Sequence, residues 1–269
     1  MLLAAVARPL PVLARPTPNR AAQALADSAK HLLQRTRNAL FVPDTAVPRR
    51  YARQALALAR QLPPQPMGDA LVFAAILHMG RVYYEQADYA TAARHYHYAR
   101  RLAARQGNWH RLADAYERLG NTALLTKPVA AAGLFYRQAL AIHERHHNPA
   151  GVCRLIYCLG VYYDTRSDYP RAQSHFFRSL TLARELHDWN ACANANDNLA
   201  ALHLTRHEPA LARPYLREAI AFYCRDRNPT ATADCLAELG RTYLDPGTPP
   251  PPTPPPNATC WPPAASSWP

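Results

Sequence analysis

The sequence has only 9 glycines and 3 methionines in 269 residues, and no run of 18 apolar residues. With no alternation of apolar and polar positions either, there is no strand pattern to read, which excludes a sheet-based fold. No stretch is long and apolar enough to span a bilayer as a helix, and the mean hydropathy of -0.32 agrees. Lysine is almost missing: of the 31 basic residues, all but Lys30 and Lys127 are arginine. They are spread over every helical stretch, so the formal charge of +12 is not the clustered footprint of a nucleic-acid binder. That excess is read as the composition of a GC-rich genome, and no nucleic-acid partner is expected. The six cysteines lack paired metal-ligand spacing. Cys153 and Cys158 are five apart, while Cys192, Cys224 and Cys235 stand alone on helices as small hydrophobes. Reduced thiols and a cytoplasmic location follow. No Gly-rich phosphate loop and no Ser or Cys nucleophile with a base is present, so no enzyme activity and no cofactor are expected.

What the chain does have is a repeat. Leu159 to Leu180 reads as a helical hairpin, with Ile156, Leu159, Gly160 and Tyr163 on one face of a first helix and Ala172, Phe176 and Ser179 on a second. Asp168 caps the second helix ahead of Tyr169 and Pro170. The pairs Met79-Gly80, Leu119-Gly120, Leu159-Gly160, Leu199-Ala200 and Leu239-Gly240 follow one another at 40 residues. Twelve residues past the first four small residues stand Ala92, Ala132, Ala172 and Ala212, and sixteen past them stand Tyr96, Tyr136, Phe176 and Leu216. Asn108, Asn148, Asp188 and Asn228 recur where a cap for the next first helix is needed. A hairpin of this kind cannot close a core alone, so copies must stack.

These columns resemble the tetratricopeptide repeat, with its Leu-Gly pair, a Tyr three residues on, then Ala, an aromatic and Ala in the second helix. The resemblance covers about Asp69 to Leu244 and extends to long-unit members found in kinesin light chains and in bacterial regulatory and sensor proteins. It implies an all-α fold, an α-solenoid formed as a right-handed superhelix of antiparallel helical hairpins, with first helices lining a groove. By that resemblance the peptide-binding groove residues are Leu77, Arg81, Tyr84, Asp114, Glu117, Asn121, Arg154, Tyr157, Asp164, Asn194, Asp197 and Asn198, with Leu124, Val161, Ala201 and Leu204 beside them. The asparagines carry donor and acceptor and suit an extended peptide backbone; the competing reading is that they bridge adjacent helices. Leu77 and Glu117 stand where a carboxylate clamp would need Lys.

Four segments are expected. Residues 1 to 20 read as a disordered leader, or as a trimmed signal peptide if the protein is exported. Residues 21 to 66 form a degenerate first repeat, with Leu40 in the glycine column and Ala52, Leu56 and Ala59 on the second helix. Residues 67 to 244 hold four full repeats and one half repeat. In the fourth, Pro214 lies beyond the first turn of its helix and should kink it. Residues 245 to 269 are a Pro-rich disordered tail.

One motif competes with this reading. His143-Glu144-Arg145-His146-His147 spells the zinc-protease pattern, two histidines one helical turn apart with a Glu base. A metal-dependent hydrolase through His143 and His147 is therefore the alternative, and a purely structural oligomer joined through the terminal half repeat is a third. The residues favour a scaffold or adaptor that binds a protein or peptide in its groove, as the sensing part of a regulator, without membrane insertion.

Overall fold

The computed structural model describes residues 18–41, 46–63, 65–126 and 129–244. The leader before Pro18, residues 42–45, Pro128, the tail and Cys260 lie outside the described residues. Eleven helices occur among the described residues, with no strand: α1 (Pro18–Asn38), α2 (Ala46–Ala59), α3 (Pro66–Glu85), α4 (Tyr89–Arg105), α5 (Trp109–Leu124), α6 (Ala130–Arg145), α7 (Pro149–Thr165), α8 (Tyr169–Glu185), α9 (Trp189–Thr205), α10 (Pro209–Arg225) and α11 (Pro229–Arg241). The chain forms two compact units, Met1–His95 and Tyr96–Pro269.

In the first unit α1, α2 and α3 pack on one another, with Ala26, Ala29, Ala55, Ala59 and Leu71 enclosed. Ala52 and Ala59 are buried as their columns require. The register fails at Leu40, because α1 ends at Asn38 and Leu40 lies in the turn after it. In later units the matching residue sits inside the first helix. The small α1 residues against α2 are instead Ala26 and Ala29, so the first hairpin is out of phase with the 40-residue repeat. α1 also begins at Pro18, inside the segment expected to be leader.

The second unit is a stack in which each helix from α5 to α11 touches the next. Its glycines show how the hairpins close. A methyl group added at Gly160 would lie 2.6 Å from Phe176 Cε1, and one at Gly120 would collide with the Tyr136 ring. So the small residue of a first helix receives the large residue of its own second helix, sixteen positions on. At the fourth step Ala200 replaces Gly and Leu216 replaces the ring, both in one buried cluster: a smaller knob leaves room for one carbon. The seam between hairpins uses a different glycine, Gly133 of α6, where an added carbon would stand 2.7 Å from Tyr162 of α7. α10 runs from Pro209 to Arg225 with Pro214 inside it.

The caps stand where the sequence puts them. Asn108, Asn148, Asp188 and Asn228 each accept a hydrogen bond from the backbone N–H three residues on, at 3.0, 3.1, 3.0 and 3.2 Å. Just before these caps lies a feature with no sequence signal. Ala87, Gly107, His147, Ser167, His187, His207 and Arg227 all have φ between 49° and 61°, and they are spaced by 20 residues or a multiple of it. The next residue's N–H bonds back to the carbonyl five positions earlier at each reversal, as from Asp168 to Tyr163 at 2.9 Å and from Asn228 to Tyr223 at 2.9 Å. That bond closes orphaned helix carbonyls, which is how non-glycine residues are held in the left-handed region.

Candidate ligand-binding face

The first helices α5, α7, α9 and α11 run side by side in the second unit, and most expected groove residues lie on them. Leu77, Arg81 and Tyr84 lie on α3 of the first unit, where Arg81 Nε pairs with Glu85 at 3.4 Å and Tyr84 meets Tyr89 edge-on at 5.5 Å. In the second unit each step from one first helix to the next carries a polar bridge. Arg154 Nε donates to Glu117 Oε2 at 2.9 Å, joining α7 to α5. Asn198 Nδ2 donates to the Tyr157 hydroxyl at 2.8 Å, joining α9 to α7. Cys235 Sγ lies 3.4 Å from Asp197 Oδ1, joining α11 to α9.

These bonds change the role of several side chains. Asn194 accepts from the Tyr223 hydroxyl at 2.8 Å and donates to Asn190 at 2.8 Å, and Asn198 Nδ2 also reaches the Asn194 carbonyl. Asn121 accepts from Tyr136. The amides of Asn194 and Asn198 are thus engaged within the fold, in bonds that reach α10 and α7. Burial pushes the Tyr157 phenol up to about 12, and the neighbouring Cys158 adds to this. Asp114 holds Arg118 on its own helix at 3.2 Å. Asp164 is half-buried, and its carboxyl is held above the usual range by desolvation.

Between α9 and α11 the face opens into a cleft of 610 Å³. Ala201, Leu204 and Leu216 supply apolar walls; Asp197, Asp234 and Glu238 supply carboxylates. Burial raises the Asp197 carboxyl above its ordinary range, Cys235 opposes the shift by hydrogen bonding, and Glu238 and Asp234 reinforce it. Asp234 escaped the sequence reading although it continues the column Asp114, Arg154 and Asn194 by one more unit. Charge is also sorted by helix type, contrary to the even spread read from the sequence. Helices α5, α7, α9 and α11 carry six acidic and four basic residues, whereas α6, α8 and α10 carry three acidic and eight basic.

The protease spelling does not form a metal site. α6 ends at Arg145, His146 caps it, and His147 sits in the left-handed region at φ 49°, so His143 and His147 share no helical face. His143 is buried at 2% exposure. Its Nδ1 lies 3.1 Å from Asn148 Nδ2, its ring fills the space left by Gly151, and its edge meets Trp109 at 6.1 Å. Desolvation, with Arg154 adding to it, lowers its pKa. His146 stacks on Trp109 at 4.4 Å. Elsewhere His95 stacks on Tyr83 and His97 meets Phe135 edge-on. No group of three or more metal-ligating side chains occurs among the described residues, and no helix of the described residues is long and apolar enough to cross a membrane.

Residues 152–225 match the family model of the tetratricopeptide repeat. No curated protein matches by sequence. Among solved structures, the chain is similar to aspartyl phosphate phosphatase F from Bacillus subtilis at 9% identity and a TM-score of 0.58, over 81% of this chain and 60% of that one. It is similar to the apo form of the quorum sensor NprR from B. thuringiensis at 11% identity and a TM-score of 0.57, over 80% and 58%. It is also similar to a signal transduction ATPase with numerous domains that carries a tetratricopeptide repeat sensor, from Pyrococcus horikoshii, at 14% identity and a TM-score of 0.64, over 84% and 34%. The chain thus spans less than two thirds of each of these three proteins, and at such identities the likeness is one of fold. The family match over residues 152–225, the 40-residue register and the fold shared with these structures agree on an all-α solenoid of tetratricopeptide-like hairpins.

Proposed function

We propose that the first-helix face of the second unit binds a peptide or protein segment, seating a basic side chain in the cleft between α9 and α11. The observation that carries this reading is the cleft itself, with apolar walls and the carboxylates of Asp197, Asp234 and Glu238 opening on one 610 Å³ space. Asp197 is already half-desolvated, so a guanidinium or ammonium that enters recovers Coulomb energy at a lower effective dielectric than at a free surface. The polar bridges at the other steps hold the helices at fixed spacing, so the face is pre-organised before a ligand arrives. The role is that of a scaffold or adaptor without catalysis, serving as the sensing part of a regulator; the quorum sensor and the sensor-bearing ATPase of the same fold support that placement.

The test is fluorescence anisotropy with a short labelled peptide alternating arginine and leucine, beside its glutamate counterpart. The arginine peptide should bind and the glutamate peptide should not. The double variant Asp234→Asn, Glu238→Gln should weaken binding by about tenfold, as expected for loss of two partly screened charges. Equal binding of both peptides, or no effect of the double variant, would refute the cleft as the site.

A further inference from the structure

We propose that the outer face of α11 is an interface to a second copy of this chain. In α7 and α9 the side of the first helix that meets its own second helix is closed: Ile156 is 1% exposed, and Ala193, Asn196 and Ala200 are 0%. One unit further on, the same columns are Ala233, Leu236 and Gly240, all exposed, with Leu236 at 45%. A carbon added at Gly240 would meet nothing within 4 Å, whereas the same carbon at Gly160 meets the Phe176 ring. Ala237 completes the bare stripe. α11 therefore presents a knob, Leu236, and a notch, Gly240, one helical turn apart on one side.

Upstream, at Gly120 and Gly160, the notch is filled by a large side chain from an antiparallel helix. A second α11 laid antiparallel about a two-fold axis near Glu238 meets that requirement, since it sets each Leu236 against the other copy's Gly240. The contact is isologous, the same patch on both copies. Charge agrees with the arrangement. Asp234 and Arg241, both exposed, are seven residues apart along one edge of the stripe. Antiparallel pairing brings the Asp234 of one copy to the Arg241 of the other at both ends. Arg241 already leans on Glu238 of its own helix, which orients it along this edge. An unrelated partner would need both the knob and the matching charge order; a second copy has them by symmetry.

One helix face is small beside the roughly 800 Å² per partner of a standard interface, so the pair is concentration-dependent. Sedimentation velocity on the full chain, from about 1 to about 200 µM, reads this directly, because the stability of such a pair depends on protomer concentration. The expected result is a rise from the 30.0 kDa monomer toward twice that mass. Leu236→Asp should stay monomeric throughout with an unchanged circular dichroism melt. Asp234→Arg should weaken the pair, and adding Arg241→Asp to it should restore the pair. A wild-type chain that remains at 30.0 kDa at the highest concentration overturns the proposal; hydrogen exchange along α11 then tells whether residues 245–269 or nothing covers the face. A Leu236→Asp variant that still dimerises overturns it as well, by placing the interface elsewhere.

Discussion

Substituting alanine at two glycines of the same column should change stability in opposite directions. In an unobstructed helix interior, alanine is favoured over glycine by about 1 kcal/mol. At Gly160 the added carbon would stand 2.6 Å from Phe176 Cε1 and 2.7 Å from Cδ1, about 1 Å inside the ordinary carbon–carbon separation of roughly 3.5 to 4.0 Å. Phe176 is 0% exposed and packs against Tyr157, so its ring has no free space to move into. Overpacking a closed core costs about 1–3 kcal/mol, which outweighs the propensity gain. Gly160→Ala should therefore destabilise by up to about 2 kcal/mol once that gain is subtracted. Gly240→Ala, facing open space, should stabilise by up to about 1 kcal/mol when measured at low protein concentration. Adding Phe176→Leu to Gly160→Ala recreates the Ala200 and Leu216 pair already present at the next unit. The double-mutant cycle should then show a coupling of about 1–2 kcal/mol in favour of the double variant. Urea unfolding followed by circular dichroism gives all four values. Should Gly160→Ala stabilise as much as Gly240→Ala, or the two changes in the hairpin simply add, the small-against-large account of the hairpin would be wrong.

Other outcomes follow from the same packing. His95, His97, His143 and His175 are held below their ordinary pKa of 6.5, first by desolvation and then by neighbouring arginines. Their neutral forms are favoured only in the fold, so stability is full above about pH 6.5 and is lost as pH falls through their folded values; the urea midpoint should be lower at pH 5.5 than at pH 7.5. Ser167→Gly should raise stability by about 0.5–1 kcal/mol, since a non-glycine residue in the left-handed region costs about 1–2 kcal/mol and glycine's extra unfolded entropy returns part of it. Asn148→Ala removes the cap of α7 and the partner of His143 Nδ1, and should cost about 1–2 kcal/mol in the same assay. Burial pushes the Cys158 and Cys235 thiols up to about 12 and Cys192 to about 11, with Cys153 also raised. Cys153, Cys192 and Cys235, which are buried, should resist a thiol reagent at pH 8 until urea is added, and their rapid labelling in the native state would contradict their enclosure.

The repeat was legible because spacing records it directly. Pro149–Thr165, Trp189–Thr205 and Tyr89–Arg105 each start just after an Asn or Asp cap that the sequence shows directly. The reversals were not legible, because histidine, serine, alanine and arginine occupy positions where glycine would have signalled a left-handed residue. The same blindness made His147 look helical and lent the protease spelling its apparent spacing. At the candidate site, the columns could not show that Tyr157 and Tyr223 reach Asn198 and Asn194, since those bonds join residues 41 and 29 apart. The sorting of charge between first and second helices also needed the helix boundaries before it could be counted. Nor did the spacing say which helix the glycine column meets: Gly120 and Gly160 receive rings of their own hairpin's second helix, because the sixteen-residue offset returns the chain to that helix.

The reversals spaced by twenty residues or a multiple of it bear on how such a chain changes length. Each is fixed by the same backbone bond and by no special side chain, so each joint is interchangeable with any other two steps away. A gene that loses or duplicates the stretch between Ser167 and His207 would rejoin at an identical bend, with the next helix leaving in the same direction. Growth or shrinkage by a whole hairpin therefore calls for no newly invented corner, only for a neighbour whose knob suits the hollow it meets.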